Sequence, residues 1–155
     1  MVVVSAGAKS ILDLPKTVEL LETLGVSMVG FKTSEFPSFY SRSSGIKRVT
    51  KVDSVKRVSE VFLNNRYLET LGATLVLNPA PAESEIPIEI MDPIIHSARA
   101  ELNKRGIGGK MVTPFLLSYI HEKTEGKSLD ANISLALNNV QLGSKIAKSL
   151  NAKEG

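Results

Sequence analysis

The chemistry this chain can offer centres on one lysine near its start. Met1-Val2-Val3-Val4 runs straight into Ser5-Ala6-Gly7-Ala8-Lys9-Ser10. β-Branched residues giving way to small ones and glycine read as a buried strand that ends where the backbone must approach something closely. Lys9 then stands just past the carboxyl end of a strand, where the loops of open α/β sheets line the ligand crevice. An amine enclosed by apolar side chains favours its neutral form, the one that attacks a carbonyl. The plainer reading is a solvated lysine in a turn. A phosphate loop is excluded, because the Walker pattern needs glycine where Val3 and Ala8 stand.

Two groups of asparagines come next. Asn78 follows a second short apolar run, Ala73 to Leu77, and opens the rigid loop Asn78-Pro79-Ala80-Pro81, so it too stands at a strand end. An asparagine there either closes the turn or faces a ligand. Asn132, Asn138 and Asn139 interrupt a segment that otherwise favours helix, and either a bond to a neighbouring loop or a substrate contact accounts for them. Glu83, Glu85 and Glu89 have no spacing that fixes two carboxylates across a substrate. The only histidines, His96 and His121, lie far apart, and cysteine is absent, so no zinc-type ligand cluster is visible. Gly106-Ile107-Gly108-Gly109-Lys110 lacks the third glycine of a dinucleotide fingerprint.

The elements that must position these residues belong to one domain spanning residues 1–155. At 43% hydrophobic and 23% charged residues the composition is globular. A net charge of +3 is too small to argue for nucleic acid. No uncharged apolar run approaches the roughly 18 residues of a membrane span, and Met1 to Val4 lacks the basic flank of a signal sequence. The expectation is therefore a cytoplasmic protein that binds neither membrane nor nucleic acid.

Leu14-Pro15 predicts a helix start, with Val18, Leu20, Leu21 and Leu24 as its apolar face and Gly25 as its cap. Val26 to Phe31 reads as the next buried strand. Strand, helix and strand in about 30 residues predict a βαβ unit and a parallel sheet. Thr33 to Gly45 has no period but carries Phe36, Phe39 and Tyr40, as either a functional or contact loop or one folded onto the core through its rings does. Ile46 to Val52 alternates like an edge strand, within a basic cluster of Arg42, Lys47, Arg48, Lys51, Lys56 and Arg57 that a solvated face accounts for. Asp53 is the expected cap of a helix from Ser54 to Leu71, with Val55, Val58, Phe62 and Leu68 inward. Asp92-Pro93 predicts a helix ending at Gly106, and Thr113-Pro114 one ending near Glu122. Ser128 is the expected cap of a last helix whose buried stripe is Leu129, Ile133, Ala136, Val140, Gly143, Ala147 and Leu150. The architecture is α/β: a mostly parallel sheet flanked by helices (α/β/α), closing on a helical C-terminal segment. A strand as apolar as the first normally has neighbours on both sides, so the chain reads as cut from something longer.

In order along nearly the whole chain, the residues resemble the pseudouridine-5′-phosphate glycosidases, or indigoidine-synthase-A-like proteins. The stretches that carry the resemblance are Val4-Ser5-Ala6-Gly7-Ala8-Lys9-Ser10-Ile11-Leu12-Asp13, Glu35-Phe36-Pro37, Phe39-Tyr40, Arg42-Ser43-Ser44-Gly45 and Asn78-Pro79-Ala80-Pro81. Further along come Gly108-Gly109-Lys110, Thr113-Pro114-Phe115-Leu116-Leu117, Asn132-Ile133 and Asn138-Asn139. The resemblance implies reversible cleavage of the carbon–carbon glycosidic bond of pseudouridine 5′-phosphate to uracil and ribose 5-phosphate. It implies a Schiff base on Lys9, an active-site role for Asn132, and a homotrimer. It covers only the carboxyl half of the family's length, so the fold is incomplete relative to the full family. The implied divalent metal, usually manganese, would have its aspartate in the missing amino half, with the acid that serves uracil and a second substrate lysine. The rival expectations are a non-catalytic assembly or binding module that keeps the fold, and, less directly, an RNA binder using the cluster from Arg42 to Arg57.

Overall fold

The computed structural model describes residues 1–70 and 72–154. Its sheet has four strands, β1 (Val2–Ser5), β2 (Ser27–Phe31), β3 (Thr50–Val52) and β4 (Thr74–Leu77), in the order β1-β4-β2-β3. Every pairing is parallel: β4 lies between β1 and β2, aligning Ser5 with Leu77 and Gly30 with Leu77 on its two sides. The expected parallel α/β sheet is thus present. β1 is an end strand, however, paired among the described residues with β4 alone rather than having neighbours on both sides. β3 is the other end strand. It is shorter than the alternation suggested, because Ile46 and Val49 turn into the core beside Phe36 and Leu77 instead of joining the ladder.

Five helices follow from local signals. In α1 (Leu14–Thr23) the Asp13 carboxylate accepts the Lys16 N–H at 3.1 Å and Pro15 occupies the first turn. Its Val18 is buried, whereas Leu20 and Leu24, expected on the same face, are exposed, because the sheet covers only the narrow stripe through Val18 and Leu21. α2 (Val55–Tyr67) is capped by Ser54, not Asp53: the Ser54 hydroxyl accepts the Arg57 N–H at 3.2 Å, and Asp53 pairs with Lys51 at 3.3 Å. Leu68, expected inward, lies past the last turn and is exposed, and the expected end at Leu71 lies outside the described residues.

α3 (Ile88–Lys104) begins well before Asp92-Pro93. The Ile90 and Met91 N–H groups bond to the Pro87 carbonyl at 3.0 Å each, starting the helix, and Pro93 costs it only one bond near its solvated first turns. α4 (Val112–Lys123) is entered through a 3₁₀ turn at Gly109–Met111. α5 (Lys127–Glu154) follows Gly126, whose φ is +86°. Ser128 is not its cap: it is buried, and its N–H donates to the Thr124 hydroxyl at 3.2 Å.

α5 also corrects the expected stripe. Its buried apolar residues are Ala131, Leu135, Leu142 and Ile146, while Leu129, Ile133 and Val140 are 51%, 53% and 66% exposed. The helix carries two apolar rows on nearly opposite sides, and a 3.6-residue period fits either.

Two layers sandwich the sheet. On one face α2 and α5 cover Val2, Val4, Val29 and Val76 with Val58, Leu142 and Ile146. On the other, α1 and the aromatic loop cover Met28, Leu75 and Leu77 with Val18 and Phe36. α3, α4 and the start of α5 form a helical end around Tyr40, Met91, Ile95 and Ile120.

Candidate active site

The site is built where β1 and β4 stop. The ladder runs one bond past the strands, the Asn78 N–H donating to the Ser5 carbonyl at 2.8 Å. The chain then turns sharply. Gly7 has φ +87°, and the Ser5 hydroxyl donates to its carbonyl at 2.8 Å. The aromatic loop closes over this turn: Gly7 bridges Ser38, and the Phe39 N–H donates to the Ala6 carbonyl at 3.1 Å. Lys9 comes out of the turn half-buried, its carbonyl accepting the Leu12 N–H at 2.8 Å. Its ammonium has no hydrogen-bonding or ionic partner among the described residues.

Asn78 is on the neighbouring strand end, as expected, and is buried. Its amide donates to the Asn139 side-chain oxygen at 3.1 Å, while Asn138 donates to the Pro79 carbonyl at 3.1 Å. Ser84 and Ser134 add a third link at 2.8 Å. Asn138 and Asn139 therefore pin the Asn78–Pro81 loop to the middle of α5, the loop-anchoring alternative of the two raised by the sequence.

Asn132 is not brought against either residue. It lies on the same row of α5 as Asn139, seven residues nearer its N-terminus, or about 10 Å along the axis. There it is exposed on the wall of a cleft of about 330 Å³ shared with Tyr40, Leu117, His121, Ser128 and Leu129. Tyr40 connects the two places. Its ring packs edge-to-face on Phe39, with centroids 4.9 Å apart, and Ile11, two residues from Lys9, packs into the same cluster. Burial pushes the Tyr40 hydroxyl above its ordinary pKa, and Tyr40 is part of the cleft wall. The sequence placed Tyr40 only within the aromatic loop and gave His121 no role; the available signal was Phe39-Tyr40 among the stretches that carry the resemblance, while the left-handed backbone at Phe39, φ +69°, is seen only in the structure.

The polar residues of the aromatic loop hold its shape. The Glu35 carboxylate accepts from the Ser43 hydroxyl and from the Gly45 N–H, which keeps its pKa below the usual carboxylate range. Arg42 donates to the Ala80 carbonyl, and its N–H to Glu85 at 2.8 Å. Arg48 pairs with Glu22 at 3.2 Å and Arg57 with Glu60 at 2.9 Å, so much of the basic cluster is matched locally by acids. Among the described residues no three His, Cys, Asp or Glu side chains are grouped to hold a metal ion, so these residues do not fit a manganese site. No helix among them is long and apolar enough to cross a membrane.

Known proteins share this arrangement. The family model described as indigoidine synthase A like protein matches residues 1–149. The chain is 48% identical over 149 residues to the pseudouridine-5′-phosphate glycosidase of Staphylococcus aureus (strain MW2), covering 96% of this chain and 48% of that protein. It is 47% identical over 148 residues to the one from Paracoccus denitrificans (strain Pd 1222), with 96% and 49% covered. Among solved structures, the prealnumycin C-glycosynthase AlnA in complex with ribulose 5-phosphate superposes with a TM-score of 0.93 at 29% identity, over 99% of this chain and 51% of that one. An indigoidine synthase A-like protein from Thermotoga maritima gives 0.84 at 40% identity, over 98% and 49%. The chain spans about half the length of the relatives it matches. It belongs to the indigoidine synthase A like protein family.

Proposed function

We propose that this chain supplies the Schiff-base half of a pseudouridine-5′-phosphate glycosidase, with Lys9 as its nucleophile. The observation that carries the reading is Lys9, a half-buried residue whose ammonium has no partner among the described residues, at the carboxyl end of a parallel strand in a chain 48% identical to a glycosidase of that name. The neutral amine condenses with the aldehyde carbon of opened ribose 5-phosphate, expels one water and leaves a protonated C=N at C1. Uracil adds to that carbon through C5 and loses its C5 proton, which makes the carbon–carbon bond; the sugar O4′ then closes the ring on C1 as the Lys9 nitrogen leaves as the free amine, and the reverse sequence opens the ring and breaks the bond. A carbon leaving group has no oxygen to protonate, so the nitrogen electron sink replaces the carboxylate pair of ordinary glycosidases.

Asn132 is proposed to hold a sugar hydroxyl or the uracil edge, since a carboxamide offers both donor and acceptor and it faces an open cleft. Asn78 is proposed to border the substrate from the neighbouring strand end, held in place by Asn139. No step is assigned to a metal. The active assembly is proposed as a homotrimer of complete sites.

The test is reduction with borohydride in the presence of ribose 5-phosphate, with the segment of a family relative that this chain does not span supplied alongside. The expected result is a reduced sugar adduct on the Lys9 peptide and none in Lys9→Arg. An adduct on another lysine rejects the assignment.

A second reading, a non-catalytic module that keeps the fold, is favoured by the half-length match to the relatives. Uracil release from pseudouridine 5′-phosphate by the purified 155-residue chain would dismiss it.

A further inference from the structure

We infer that the cavity behind the Lys9 turn is a binding site for a small neutral polyol, with the Ser10 hydroxyl as its inner anchor. The inference does not rest on the proposed glycosidase chemistry.

The observation that starts it is the Ser10 Oγ, which is shielded from solvent and has no hydrogen-bond partner among the described residues. A buried hydroxyl left unsatisfied costs free energy, so such a group points to something that binds it. Ser10 lines a cavity of about 300 Å³ where four stretches of chain meet: the turn after β1, the start of α1, the aromatic loop and α3. A single water needs only roughly 10–15 Å³ of such space, so the cavity takes a larger guest. It shares no residue with the cleft of Asn132.

The lining decides the class of guest. Ser38, Ser41 and Ser44 spend their hydroxyl protons on the backbone carbonyls of Ser43, Ile86 and Phe36, respectively, and keep oxygen lone pairs as acceptors. The donors are Ser10 and the remaining N–H groups of Arg99. One Arg99 N–H goes to the Ile11 carbonyl at 3.0 Å, which fixes the guanidinium beside the Lys9 turn.

Charge narrows the choice. Asp13 is paired with Lys16 at 3.2 Å, which leaves Asp92 and Arg99 as one charge of each sign on the lining. An anion is repelled by Asp92 and a cation by Arg99, whereas a hydroxyl donates to the one and accepts from the other. Ile46, Ile88 and Met91 offer apolar surface to a carbon skeleton. Hydroxyl groups spaced along a short carbon chain match every part of this lining, while a purely apolar guest leaves Ser10 without a partner.

The experiment titrates the isotope-labelled 155-residue chain with ribitol, and in parallel with inorganic phosphate, ethylammonium and ribose 5-phosphate, reading backbone amide shifts by NMR. The expected result is saturable shifts at Ser10, Ser41 and Asp92 with ribitol alone. Ser10→Ala is expected to weaken ribitol binding about fivefold through the lost hydrogen bond. Because that hydroxyl has no partner within the fold, the variant is expected to melt no lower than the native chain. Lys9→Arg is expected to bind ribitol as the native chain does, so this site and the Schiff-base reading fail separately. Absence of saturable shifts at the three residues overturns the inference, as does ribitol binding that Ser10→Ala leaves unchanged. Shifts there with a charged probe that equal or exceed those with ribitol also overturn it, and with ribose 5-phosphate they assign the cavity to the phosphorylated substrate.

Discussion

Gly7 and Pro37 are in backbone contact so close that a β-carbon on Gly7 would lie 1.8 Å from the Pro37 carbonyl oxygen. This contact seats the aromatic loop on the turn that delivers Lys9, and it places Phe39 and Tyr40 between that turn and the Asn132 cleft. Glycine is required twice over, for the space and for φ +87°.

Gly7→Ala is therefore expected to destabilise the fold by roughly 2–5 kcal/mol, combining left-handed strain with displacement of the loop backbone. Gly45→Ala is the control, since Gly45 has φ +76° but nothing within 4 Å of its would-be β-carbon. It should cost only the strain, about 1 kcal/mol. Urea denaturation of both variants measures the difference, and equal losses would mean that the Pro37 contact is unimportant.

The half-buried bond between Asn78 and Asn139 makes a second case. Asn78→Ala leaves the Asn139 oxygen without its donor and is expected to cost about 1–3 kcal/mol. The double variant should cost less than the sum of the singles, with a coupling of about 0.5–1.5 kcal/mol in a thermodynamic cycle. Strict additivity would show that the amides do not hold the loop on α5.

Glu35 should give the aromatic loop an acid sensitivity. Its carboxylate is held below its ordinary pKa of 4.5 first by the Ser43 hydroxyl and then by the Gly45 N–H. The ionised form is thus favoured in the fold, so the stabilisation is complete above the ordinary value and is lost as pH falls through the lowered one. Stability curves of the native chain and Glu35→Gln, followed from pH 6 to pH 3, should converge on acidification. Parallel curves across that range would remove Glu35 from the account.

Gly143 offers the opposite sign. It lies in the interior of α5, and a β-carbon there would meet only the Val4 side chain, at 3.9 Å, an ordinary contact. Gly143→Ala is expected to stabilise the chain by about 0.5–1 kcal/mol through helix propensity. A lower melting temperature would show that α5 approaches β1 more tightly than this spacing allows.

What the sequence determined by itself was much of what is set within a few residues, although neighbouring candidates misplaced the start of α2 by one residue and that of α3 by several. The valine run into Ser5-Ala6-Gly7-Ala8-Lys9 is a strand and a turn, Leu14-Pro15 starts a helix, Gly25 and Gly126 end elements with left-handed backbone, and Pro79 and Pro81 stop β4. These are local matters of dihedral angle and of bonds between neighbours, so composition and spacing suffice to read them. The motifs carried the family in the same way.

Only the tertiary structure decided which side of an element faces inward and which residues from distant places meet. Leu20, Leu24 and Leu68 point out, and α5 buries the row through Leu135 rather than the one through Ile133. β4 inserts between β1 and β2, which brings Asn78 beside the Lys9 turn, and Asn139 reaches Asn78 across 61 residues of sequence. Periodicity reports that a helix has an apolar side, but where two such sides exist the choice belongs to the surface that is there to cover one of them.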